Sequence, residues 1–308
     1  MDQRDRVYDL RIGDYVNGNG LRISAGVPDD DGIIDIGKGL QITFDISKMA
    51  DNKKTKGNSA SIEVYNLSRS QAALLEGEYL ECTLMVGYEG TGARVIVSGN
   101  VTEITTRKAG DDRITTIRMG EGYSDLNHQK LKQMVSPGKT VNDVINDIVA
   151  QMPGVARGSV VGTNLNNPIV HGWRLTGTPR EMLKKICDAH DLEYNVSGGV
   201  LNVSEVNGLL TKDVNTAPVI SPTTGLIDEP FYTSEDGRKH PKDKRRRRGV
   251  QFVCLLNTEL IPGRIVKLED TVINGFYRVN ATRFNGDFRG NPWYAEVMCS
   301  EIAAEELA

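Results

Sequence analysis

The chain has 308 residues, with 37 Lys and Arg against 41 Asp and Glu, a net charge of −4 and 39% hydrophobic residues. That length allows two or three packed units, and the composition is that of an ordered globular protein. An acidic balance argues against a dedicated nucleic-acid binder, whose domain is basic throughout. No apolar run reaches the length of a membrane-spanning helix.

The opening MDQRDRVYDLRIGD lacks the apolar centre of a secretory leader. The cysteines Cys82, Cys187, Cys254 and Cys299 form no CxxC pair. Reduced thiols and assembly in the cytoplasm are the expectation.

Residues 1–122 read as strands. LQITFDIS alternates, with Leu40, Ile42, Phe44 and Ile46 on one face; ASIEVYNLS repeats the pattern at Ile62 and Val64. EYLECTLMVGY, RVIVSGNVTEITTRKAG and DRITTIRMG follow, separated by Gly, Asn and Asp. One short helix interrupts them in SRSQAALLEG, with Ser68 as its cap and Gly77 as its end.

Residues 123–212 predict a small α/β module. Val141, Val144, Ile145, Ile148, Val149 and Met152 form one helical face, begun by Thr140 and stopped by Pro153-Gly154. Thr178, Pro179 and Glu181 open a second helix with a capping box, and Met182, Leu183, Ile186 and Cys187 form its buried stripe. LEYNVSGGVLNV then predicts a hairpin turning at Gly198-Gly199. In 213–308 strands return, with turns marked at Pro262-Gly263 and at Asn285-Gly286-Asp287.

Candidate chemistry is sparse. SPGKTVNDVI sets Gly138-Lys139-Thr140 before a helix, but a phosphate loop needs a further glycine at position 133, which is Gln. Cys187 and His190 lie one helical turn apart without the further ligands zinc requires. His128, His171 and His240 have no triad partners, and no carboxylate pair stands out. The reading is no enzyme, no metal and no cofactor. The remaining signal is a charged loop, 231–248, in which Arg238–Arg248 holds eight Lys and Arg against Asp243. Arg245, Arg246, Arg247 and Arg248 read either as a salt-sensitive phosphate contact or as a solvated, partner-contacting loop. No aromatic interrupts the run to stack on bases, which favours the second.

Several segments in consistent order resemble a bacteriophage baseplate hub protein. They are GLQITFDISK with SASIEVYNLSRSQAALLEGEYLECTLMVGYEG and RVIVSGNVTEI; then TGTPREMLKKICDAHDLEYNVSGGVLNV; then SPTTGLIDEP with GVQFVCLLNTELIPGRIVKLED and GFYRVNATRFNGDFRGNPWYAEV. In the last, Leu255-Leu256-Asn257, Pro262-Gly263, Gly286-Asp287 and Trp293 carry the match, while the insert Phe231–Arg248 departs from it. The resemblance implies a mainly β chain with two antiparallel β-barrel or sandwich tube domains, 1–122 and 213–308, flanking the helix-hairpin domain 123–212. It implies a homotrimer in the virion tail, surrounding the DNA channel and adapting a six-fold tail tube to a three-fold spike. Its partners would be tube, spike and tape-measure or other baseplate proteins, with no sequence-specific nucleic acid and no membrane. Two alternatives stand beside it: a nucleic-acid module using Arg245–Arg248, and a wall-binding or wall-degrading component using the helix and hairpin at 178–203.

Overall fold

The structure, a computed structural model, describes residues 5–28, 39–50, 58–234, 247–302 and 307. The N-terminal strands are β1 (Arg6–Asp14), β2 (Asn19–Ala25), β3 (Ile42–Met49), β4 (Ser59–Tyr65), β5 (Glu81–Tyr88), β6 (Gly92–Ala109) and β7 (Asp112–Gly120). The C-terminal ones are β13 (Val219–Ile220), β14 (Phe231–Thr233), β15 (Gly249–Leu255), β16 (Ile265–Glu269), β17 (Asn274–Asp287) and β18 (Trp293–Glu301). Alternation fixes which side is inward: in β3 Ile42, Phe44, Ile46 and Lys48 are buried while their neighbours are half-buried.

These thirteen strands join into one sheet, ordered β14-β15-β18-β17-β3-β4-β7-β6-β5-β1-β2, with β13 and β16 attached through β17. The joint is β17, fourteen residues long. Its first part pairs β16, from Asn274 opposite Glu269 to Arg278 opposite Ile265. Its second part pairs β3, from Ala281 opposite Met49 to Asp287 opposite Thr43. The pairing with β18 slips between Val279 and Ala281, the irregularity of a β-bulge. The path has two ends, so the described strands trace one open sheet and not two closed barrels. β17 is where the two ends merge, its first half pairing β16 and its second half β3.

Asn285-Gly286-Asp287 is strand, not turn. Gly286 lies opposite Phe44, and a Cβ there would collide with the Phe44 ring. The glycine thus admits the aromatic ring, whose edge packs on Trp293 at 5.2 Å between centroids. The chain turns only afterwards, before Trp293. The short helix α1 (Arg69–Ala73) does start from Ser68, through a capping box with Gln71. It stops at Leu74, ahead of Gly77, because its last bonds tighten to i→i+3: Leu75 N–H to Ala72 and Glu76 N–H to Ala73.

The middle of the chain builds α2 (Tyr123–Asn127), β8 (Leu131–Val135), α3 (Val141–Val149), β9 (Ala156–Val160), β10 (Trp173–Gly177), α4 (Pro179–Ala189), β11 (Leu192–Ser197) and β12 (Val200–Glu205). β8 and β10 form an antiparallel ribbon; β11 pairs β12 antiparallel and β12 pairs β9 in parallel. Thr140 and Thr178 cap α3 and α4 as the sequence predicts; Glu181 completes the predicted box at Thr178, and Asp143 adds one at Thr140 that the sequence reading did not name. The described residues form two apolar cores. One joins both strand-rich ends, from Tyr8 and Ile46 to Phe284 and Val297; the other lies within Leu126–Val203.

Candidate functional site

The surface where those two cores meet is polar. β11 alternates so that Leu192, Tyr194 and Val196 enter the second core. Glu193, Asn195 and Ser197 face the other way, and they too are buried. They meet the large sheet instead of water. Asn195 Nδ2 donates to the Met49 carbonyl at 2.8 Å, and Lys48 Nζ donates to Ser197 Oγ at 2.7 Å. Lys48 also lies 3.5 Å from Glu121, with both side chains almost wholly buried. Glu121 accepts from Asn58 Nδ2 and from the Gly198 N–H, each at 2.5 Å. Burial pushes the Lys48 pKa down, and the neighbouring Glu121 charge opposes that. A second buried pair sits further along: Arg278 bonds Glu193, gives Nε to the Gly208 carbonyl at 2.7 Å and Nη1 to Asn280 at 2.7 Å. Asn280 is the bulge residue of β17, so the second seam contact is made where that strand changes partners.

Sequence reading missed this seam. LEYNVS looks like a strand with one wet face, and only the tertiary arrangement brings Lys48, Glu121 and Arg278 onto it.

A cleft of about 390 Å³ opens where the two strand-rich ends meet, with Val86, Tyr88, Ile220 and Leu256 among its walls. Arg94 and Glu259 also line it and bond at 2.7 Å. Burial pushes the Tyr88 hydroxyl up to about 12, so at neutral pH it stays protonated and cannot act as a base.

The residues singled out from sequence are not brought together into a reactive group. Lys139 bonds Asp147 at 2.8 Å, and Thr140 is occupied as a helix cap. Cys187 is buried in the second core and His190 caps the end of α4, its pKa lowered mainly by burial. Cys82 and Cys254 are buried and pushed up to about 12, far from thiolate reactivity. Among the described residues no three His, Cys, Asp or Glu side chains group as metal ligands, and no helix is long and apolar enough to cross a membrane.

Of the arginine run, Arg245 and Arg246 lie outside the described residues, as does the part of the loop, 235–246, expected to be mobile until a partner orders it. Arg247 and Arg248 lead into β15. Arg247 donates to the Glu301 carbonyl at 3.3 Å. Arg248 approaches the Glu301 carboxylate at 3.7 Å and lies 4.9 Å from the Tyr232 ring centre. β14 and β15 are the paired stems of this hairpin, with Tyr232 opposite Val250.

No family model and no curated protein sequence matches the chain. Solved structures do match. Over 98% of both chains it is similar to the 43 kDa tail protein of prophage MuSo2 from Shewanella oneidensis, at 10% identity and a TM-score of 0.60. It is similar over 96% of both chains to a tail protein from Neisseria meningitidis, at 13% identity and 0.61. It covers 74% of the E. coli c3393 protein with 86% of its own length, at 7% identity and 0.60. That protein is described as a type VI secretion system component with structural similarity to T4 bacteriophage tail proteins gp27 and gp5. At these identities the likeness is one of fold. The structural neighbours are phage tail and tail-like proteins, in keeping with the hub-like reading of the sequence.

Proposed function

We propose that the chain is a structural protein of a phage tail, a homotrimeric baseplate hub that adapts the six-fold tube to the three-fold spike. The observation that carries this reading is the single open sheet. Strand-rich segments from both ends of the chain merge in it, and its main path ends in two different strands, β2 and β14, with β13 at the end of a short branch. Unlike edges pair head to tail, and a head-to-tail contact that closes gives a ring. Three copies with two strand-rich segments each supply six similar units around one axis, which suits a six-fold tube on one side and a three-fold spike on the other. The division into domains 1–122, 123–212 and 213–308 belongs to this proposal, and so does assembly in the host cytoplasm. A net charge of −4 also fits a wall around passing DNA, since it lowers non-specific grip on phosphate.

The test is native mass spectrometry and electron microscopy of the chain with its tube and spike proteins. A three-copy complex between them is expected. A chain that stays monomeric in their presence and never enters tail particles would overturn the proposal. A monomer in isolation is compatible with it, because a ring can need its neighbours to close. DNA affinity lost when Arg245 and Arg246 become Ala would favour the nucleic-acid reading.

A further inference from the structure

Charge is distributed unevenly in the middle of the chain. Residues 126–142 and 148–180 contain no Asp or Glu, although average composition would put about seven acids in fifty residues of this protein. The same stretches hold Lys130, Lys132, Lys139, Arg157, Arg174 and Arg180. A net-acidic protein thus keeps two stretches free of acids, and two of their six cations, Lys132 and Arg174, lie on the β8–β10 ribbon.

The register of that ribbon sorts its residues. Met134 lies opposite Arg174, and Lys132 opposite Thr176. These four are exposed, whereas Leu131, Val135 and Leu175 on the other face enter the second core. Met134 is 69% exposed, and Val170, just before β10, is 66% exposed. Arg174 Nε bonds only Thr176, at 3.1 Å, and among the described residues neither Lys132 nor Arg174 has an ion pair. Among the described residues the ribbon has no third strand, so β8 and β10 each keep an edge without a strand partner there. Free cations, apolar tips and open strand edges thus share one surface.

We propose that the outer face of the β8–β10 ribbon docks an extended, acidic segment of a partner protein. Charge complementarity sets the sign of the partner: carboxylates meet Lys132 and Arg174, and neither β8 nor β10 carries an acid of its own. The spacing sets its conformation. Lys132 and Met134 are two residues apart on a strand, about 6.8 Å, which is also the repeat of same-side residues in an extended chain. An acid and an apolar residue at alternate positions of the partner then meet Lys132 and Met134 in turn, as in strand addition. Nucleic acid fits less well. The four paired positions 132, 134, 174 and 176 hold no aromatic ring to stack on a base, and two cations neutralise few phosphates. The inference stands whether or not the chain is a tail hub, because it uses only the middle of the molecule.

The test is fluorescence anisotropy on the whole chain, with a labelled octapeptide of alternating Glu and Thr carrying one central Leu, and with a labelled duplex DNA as the rival probe. Peptide binding at low salt is expected, falling at least about tenfold in Lys132→Glu/Arg174→Glu and less in Met134→Ser. Lys184→Glu/Lys185→Glu, on the exposed face of α4, is expected to bind as the parent does. All these positions are exposed, so unchanged thermal melts establish that the variants fold. No peptide binding at low salt would overturn the proposal. An equal loss in the α4 variant would reduce the effect to net charge and also overturn it. Duplex binding tighter than peptide binding, lost in the ribbon variant, would assign the surface to nucleic acid instead.

Discussion

The two cores are built in opposite ways. The core of the middle module is local: every member falls between Leu126 and Val203. The sheet core draws Tyr8, Ile46 and Leu84 together with Phe252, Phe284 and Val297, positions separated by most of the chain. A local core can form early and by itself, whereas one assembled across the chain must close long loops first. The difference teaches that one core draws only on neighbouring segments and the other on both ends of the chain, with a polar seam between them.

The sharpest way to break that contrast is at the meeting of the ends. Phe284 lies opposite Ile46 and Ala295 and is fully buried. Phe284→Ala is expected to cost about 3–5 kcal/mol in denaturant unfolding, and to loosen the N-terminal and C-terminal strands together. Hydrogen exchange checks the second part: β3 and β18 should lose protection while α3 and α4 keep theirs.

The seam comes next. Lys48→Met leaves Glu121 buried without its cation, at a cost of about 3 kcal/mol. Lys48→Met with Glu121→Leu recovers only part, because the Asn58 amide and Gly198 N–H lose their acceptor. A double-mutant cycle in urea measures the coupling. Smaller again is Thr178→Ala, which removes the α4 cap for about 1 kcal/mol and is read as faster exchange in the first turn of α4.

The smallest effect is one of pH. The Asp143 carboxyl is held below its ordinary value by the Thr140 N–H and hydroxyl. An acid with a depressed folded pKa stabilises the fold above its unfolded value, and that contribution fades as pH falls through the folded one. Asp143→Asn should therefore flatten the stability profile of α3 below about pH 4, and leave it unchanged in shape near neutrality.

Local elements were legible in the sequence because their causes are local. Thr140, and Thr178 with Glu181, announce helix starts within four residues, and the alternation at Ile42, Phe44 and Ile46 announces a strand. What lies between elements was not legible. Nothing in GFYRVNATRFNGD says that one strand will serve β16 with its first half and β3 with its second. Gly286 carried a turn signal because glycine in a turn and glycine under an aromatic ring look alike in one dimension. Glu193 and Arg278 gave no signal of their own, since each is the other's partner across eighty-five residues. The order of segments did carry the tail-protein likeness, because order survives where identity has fallen to about a tenth.

The shared strand also governs how the molecule bears a load. The β3–β17 ladder runs seven residues, from Met49–Ala281 to Thr43–Asp287, and it is the hydrogen-bonded bridge between the two ends of the sheet. Pulled along the strands, its bonds are sheared together and share the tension. Pulled across them, they peel one at a time from an end. That ladder therefore resists a load along β17 more than a load across it.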